Sequence, residues 1–291
     1  MEGPAWTLLR GLCRGLNMAG SFGVFGTIFL SATLLRGEKL AGLKRLAWSM
    51  LALALLAGGV WFVLQTADFA AAQSWSDITA AAPIVVQDTR FGALLLGRGA
   101  ALLLAVLIFQ WGFARPAALL ALAGTLAESW LGHGGAMTGT IGLVLLLASL
   151  AHLASGAAWL GSLPALHLAL RRLPPAAAAR LAQNFSPLGI ACVAALIVTA
   201  GVQSYLLIGT PLALLTSSYG LIALVKFLLL GGLIALAAQN RASLTPALPA
   251  TRAQLLRNIN LEIALGLVVL LAAGLILQFG PPAMAAMAPG S

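Results

Sequence analysis

The chain has 291 residues, 61% of them hydrophobic and only 8% charged, with a mean hydropathy of +1.01. Soluble domains carry about a quarter charged residues, so this composition excludes a water-soluble globular protein and points to an integral membrane protein. The net charge of +9 invites a nucleic-acid reading, which the positions of the cations exclude. Of the 16 Lys and Arg, 11 fall at 36–45, 115, 171–180 and 241–257, in every second connection between apolar segments. That is the positive-inside pattern of cytoplasmic loops.

A membrane span needs about 20 apolar residues as a helix. Alternating ten-residue segments, the mark of a barrel, do not occur. Eight segments read as helical spans: 12–35, 46–67, 91–113, 116–131, 139–170, 185–208, 219–238 and 259–279. The expected fold is an all-α polytopic bundle, one integral membrane domain over 1–291, with both termini outside the cytoplasm. Arg10 and Arg14 precede the first run without a clear cleavage site, so that run is expected to be retained. The fifth segment, at 1.5 Å per residue, reaches about 48 Å against a core of about 30 Å; it must tilt or bend, and Pro164 permits a kink. The external connection 68–90 holds Trp75 and a short apolar stretch suited to the membrane surface. Cys13 and Cys192 lie far apart at or within spans and read as packing residues rather than a disulfide or metal framework.

Ionisable groups inside a membrane are costly and mark function by default. Arg98, Glu128, His133, His152, Lys226 and Glu262 fall within or at the edge of the spans. His133 sits at the external end of the fourth span. His152 lies about three turns into the fifth, the next helix along, so both imidazoles are expected on externally accessible surfaces. Imidazole suits copper, zinc or haem iron, and thioethers suit Cu(I); Met137 is the nearest thioether. Two readings stay open from spacing alone: a shared metal site, or an interior imidazole bonded to a polar neighbour with His133 as a turn residue between glycines. Trp159, two turns below His152, reads as a core aromatic on the same face. Arg98 and Lys226 are within two turns of external ends, where snorkelling is the simple expectation. Glu128 is suited to pair a cation or support a ligand, and Glu262 to pair with Arg257 or Arg241.

The segment Gly132-His133-Gly134, followed by His152-Leu153-Ala154-Ser155-Gly156-Ala157-Ala158-Trp159-Leu160-Gly161, resembles the signature of the copper resistance protein D (CopD) family. Phe185-Ser186-Pro187-Leu188, Thr199-Ala200-Gly201, Tyr219-Gly220 with Lys226, Asn240-Arg241, Leu261-Glu262 and Pro281-Pro282 continue the likeness in order. It is strong over about 132–282 and weaker earlier, where Phe91-Gly92 and Arg98 fit. The resemblance implies a multi-pass protein of the bacterial inner membrane. It implies copper taken up from the periplasm in copper homeostasis or resistance, a small periplasmic partner of the CopC type, and His133 and His152 as metal ligands. Family members often carry His in the first span where this chain has Asn17, a poor copper ligand. Met18 is adjacent but about 100° around the helix.

The expected function is therefore copper transport, with His133 and His152 as ligands and Met137 as a soft relay. Glu128 would balance charge, and Arg98 and Lys226 would shape a polar cavity wall. A haem-binding redox protein with the two histidines as axial ligands is one alternative; a non-transporting scaffold for a periplasmic copper protein is another. No nucleophile–base–orienter set and no phosphate loop occurs, so no enzyme activity is expected.

Overall fold

The computed structural model describes residues 3–35, 40–132, 137 and 139–285. Helices account for nearly all of them, and no strand occurs among the described residues. In chain order these are α1 (Pro4–Thr33), α2 (Leu43–Phe69), α3 (Trp75–Asp88), α4 (Arg90–Gln110), α5 (Ala114–Leu126), α6 (Gly139–Trp159), α7 (Leu163–Arg172), α8 (Pro175–Leu207), α9 (Pro211–Thr216), α10 (Ser218–Gln239), α11 (Arg252–Ile276) and α12 (Pro282–Ala285). Short 3₁₀ turns, Ala127–Leu131 and Leu160–Ser162, follow α5 and α6, and a π-helical turn, Asn240–Leu244, follows α10.

Among the described residues, seven helical segments are long and apolar enough to cross a membrane: Pro4–Thr33, Leu43–Phe69, Arg90–Gln110, Gly139–Arg172, Pro175–Leu207, Ser218–Leu244 and Arg252–Ile276. The expected fourth segment, 116–131, is the exception. Its α-helix stops at Leu126 and continues as the 3₁₀ turn. The reason lies at Gly124, whose carbonyl accepts from Arg98 Nε at 3.1 Å. That carbonyl would otherwise serve the amide four residues on, and the competing guanidinium favours the change of winding.

Helix α1 is the hub, touching α2, α4, α5, α6, α7 and α11. It buries 72% of its most apolar stretch inside the protein, against 39% or less for every other candidate span. Its small residues permit this, because without a hydrophobic drive between helices in lipid, close backbone packing holds a bundle together. A Cβ on Gly15 would lie 2.7 Å from the Leu270 carbonyl oxygen of α11, and one on Gly26 would collide with the backbone of Gly161 and Ser162. Phe22 also touches Gly156 and Gly161, so α1 runs parallel to α6, while its contacts put α2 and α11 antiparallel to it.

The long fifth segment bends as its length demands. Helix α6 ends at Trp159, a 3₁₀ turn intervenes, and α7 restarts with Pro164 in its first turn, where a missing N–H costs nothing. The connection 68–90 forms α3, started by a capping box: Ser74 Oγ accepts from Asp77 N–H, and Asp77 Oδ2 accepts from the Ser74 and Gln73 amides at 2.9 Å. Ile78 and Val85 are buried, whereas Trp75 is 65% exposed, as a helix lying on an apolar phase would present it. Cys13 and Cys192 are free and buried, each among apolar neighbours.

Candidate metal-handling chamber

The half of the bundle in which α1 begins contains a buried ionic knot. Arg14 of α1 donates from Nε to Glu128 Oε1 at 2.8 Å and from Nη2 to the Leu131 carbonyl at 3.1 Å. Arg98 of α4 pairs with the other oxygen of the same carboxylate. The guanidinium of Arg14 also lies over the Trp61 ring, 4.9 Å from its centroid, a favourable cation–π placement. Arg14, Arg98 and Glu128 are 6%, 3% and 3% exposed. Arg98 therefore does not snorkel, and Glu128 pairs with two arginines at once. Arg14, read from sequence only as a flank of the first span, lies inside the bundle because α1 begins at Pro4.

Beside this knot lies a cavity of about 200 Å³. Glu128 and Ser129 form part of one wall; His152, Trp159, Gln203 and Lys226 contribute others, and Met18 and Phe22 close it from α1. His152 Nδ1 is 2.9 Å from Thr199 Oγ1. The threonine hydroxyl spends its one proton on the Ala195 carbonyl at 2.6 Å, so it accepts from His152 and the imidazole proton sits on Nδ1. The lone pair is then on Nε2, which makes no hydrogen bond among the described residues. An outer partner that fixes the tautomer is what a metal-ligating histidine requires.

Met18 stands about 100° around the helix from Asn17, and that angle brings it here. Asn17 faces α2, donating to the Ala54 carbonyl at 2.8 Å beside Gly58, and does not line the chamber. Met18, on the next face, does. The parallel contacts of α1 with α6 set Met18 within about one helical turn of the level of His152.

Of the residues singled out from sequence, Glu128, His152, Trp159 and Lys226 meet at this one chamber. Arg98 stands behind Glu128. Met137 packs in the apolar cluster of Leu145, Leu207 and Tyr219 at the chamber's end rather than on its wall. His133 lies outside the described residues, so its relation to His152 does too. No group of three or more His, Cys, Asp or Glu side chains suited to a metal occurs among the described residues. What the chamber offers is one imidazole nitrogen and one thioether, a soft pair of the kind Cu(I) takes.

A second cavity, of about 360 Å³, lies on the other side of Trp159, lined by Phe185, Ile259, Glu262, Asn240 and Arg241. Glu262 does not pair with Arg241 or Arg257; Asn240 Nδ2 donates to its Oε1 at 2.6 Å. Arg241 instead donates to Ser186 Oγ at 3.0 Å. The roles of Thr199, Asn240 and Asn258 escaped the sequence, where lone polar residues in apolar helices carry no spacing signal.

Comparison with known proteins matches residues 5–143 to the family model "Copper resistance protein D-like, N-terminal domain" and residues 179–276 to "Copper resistance protein D". His152 lies between the two matched stretches. The chain is 29% identical over 262 residues to the copper resistance protein D of Pseudomonas syringae pv. tomato, covering 85% of this chain and 84% of the relative. No solved structure matches. With apolar spanning helices and two family matches that together reach from residue 5 to 276, this bacterial multi-pass membrane protein belongs to the copper resistance protein D family.

Proposed function

We propose that this chain carries copper inward across the bacterial inner membrane, accepting it at the periplasmic face from a small CopC-type copper-binding protein. The observation that carries the reading is His152: Thr199 sets its tautomer, and its Nε2 makes no hydrogen bond among the described residues, on a chamber that Met18 also lines. Copper is the cargo here rather than a resident cofactor. Met137, packed at the end of the chamber, would receive the ion first, together with His133, which the family resemblance implies as a ligand. In this reading the protein crosses the membrane eight times, with both termini periplasmic; α5 and its 3₁₀ turn supply the short fourth crossing, supported where it is irregular by burial against Arg14 and Arg98. The reading assigns no chemical catalysis to the chain.

The test is copper bound per purified chain, together with cellular copper accumulation. His152→Ala is expected to abolish most bound copper and to lower accumulation to the level of a strain lacking the protein, and His133→Ala to weaken loading. Unchanged copper content and accumulation in the His152 variant would sink the proposal.

A further inference from the structure

We propose that the second chamber is a cation station built on Glu262 and Asn240, reached from the His152 chamber past the Trp159 indole. This rests on the copper-carrier reading above. The two cavities lie end to end along α6–α7, α8, α10 and α11, and Trp159 is the side chain that lines both. It is 2% exposed and sits where the α-helix gives way to the 3₁₀ turn, so it closes the way between them. The neighbouring Gly189 presents no side chain to hold the ring: a Cβ there would lie 3.8 Å from the indole nitrogen.

Beyond the indole, Glu262 is 3% exposed and lines the inner chamber. Its Oε1 takes the bond from Asn240 Nδ2. Asn240 Oδ1 accepts in turn from Asn258 Nδ2 at 2.9 Å, which also reaches Gln239 Oε1 at 2.9 Å. The amides are thereby oriented, and the second carboxylate oxygen makes no hydrogen bond among the described residues. No lysine or arginine pairs with it there either, since the ion pairs among the described residues are those of Asp68 and Glu128. A carboxylate so buried without a cation is costly and is neutralised by a proton; a passing metal ion would take the place of that proton and offset the same charge. Oxygen donors hold Cu(I) less well than imidazole and thioether do. The station is thus weaker than the one before it, so an ion that reaches it is released more readily than from the His152 chamber, on the side where exposed Arg241 lines the cavity.

The experiment uses the full chain in lipid vesicles with Cu(I) as the probe. It reads copper per chain, copper flux, and carbodiimide modification of Glu262 by peptide mass spectrometry. In the wild-type protein copper is expected to protect Glu262 from modification. Glu262→Gln should retain His152-dependent copper while flux falls at least ~ten-fold, and Trp159→Ala should raise flux only when Glu262 is present. Modification of Glu262 at one rate with and without bound copper, or wild-type flux in Glu262→Gln, overturns the inference. Should Glu262→Gln fail to fold, the protection measurement on the wild-type protein decides. A wild-type chain that binds no copper defeats the carrier reading and this inference together; His152-dependent binding that leaves Glu262 unprotected defeats this inference alone.

Discussion

At the scale of single residues, the buried charges carry the sharpest consequences. Glu128 holds two guanidiniums from different helices, and removing one partner from a buried ionic set leaves the others uncompensated. Glu128→Ala is expected to destabilise the protein by roughly 3–5 kcal/mol, read as a lowered unfolding midpoint in detergent; an unchanged midpoint would mean that Arg14 and Arg98 find other partners. Thr199→Val retains the shape of the side chain but takes away the oxygen that accepts the His152 proton. Losing such an outer partner costs metal affinity roughly 10–100-fold, so copper titration of Thr199→Val should show that loss with little change in folding. Lys226 faces the same chamber as His152, and an ammonium there repels a cation. Replacing it with Met should tighten copper binding roughly ten-fold and slow release; weaker binding in that variant would show the lysine acting through an accompanying anion instead.

At the scale of elements, the contact between α1 and the turn after α6 is the tightest joint beside the chambers. A methyl on Gly26 has no room against Gly161 and Ser162, and overpacking of this kind costs about 1–3 kcal/mol. Gly26→Ala should therefore lower stability by that amount and displace Trp159, detectable as a shift in the part of the indole fluorescence that Trp159→Phe removes. Helix α3 has its own sensitivity, because two backbone amides and Ser74 hold the Asp77 carboxyl below its ordinary value of 3.8. A carboxylate depressed in the folded state contributes stability that is complete above the ordinary value and is lost as pH falls through the lowered one. Hydrogen-exchange protection of α3, corrected for intrinsic rates, should fall on acidification below about pH 4, and Asp77→Asn should make it low at every pH. The break after α6 shows how far pattern reading reaches. The surplus length of 139–170 demanded a bend and Pro164 allowed one, but its position at Trp159 depends on Gly26 and Phe22, more than a hundred residues earlier in the chain.

At the scale of the whole molecule, the reading is one bundle with an outer and an inner chamber separated by an aromatic partition. Its topology is open to direct measurement. Both native cysteines are buried, so single cysteines introduced elsewhere report accessibility over a low background. Those near residues 5 and 75 should react with an impermeant thiol reagent from the periplasmic side, and those near 177 and 250 only after the membrane is permeabilised. Labelling of residue 177 from the periplasm would overturn the assigned orientation.

The sequence alone determined the class of molecule, most of its spans and its family. These rest on the hydropathy of whole segments, the spacing of basic loops and short ordered motifs, all of which are local in the chain. It also marked His152, Glu128 and Trp159, because a polar or bulky side chain in a small-residue apolar helix stands out by itself. Which residues meet was decided only by tertiary structure. Arg14 is a flank by its position and a buried ion by its packing; Met18 and Asn17 exchange importance because helix rotation turns one toward the chamber and the other toward α2. The 3₁₀ ending of α5 likewise answers to Arg98, a residue of another helix. A bond donated across helices leaves no periodicity in either of them, and it is such bonds that set the chamber's walls.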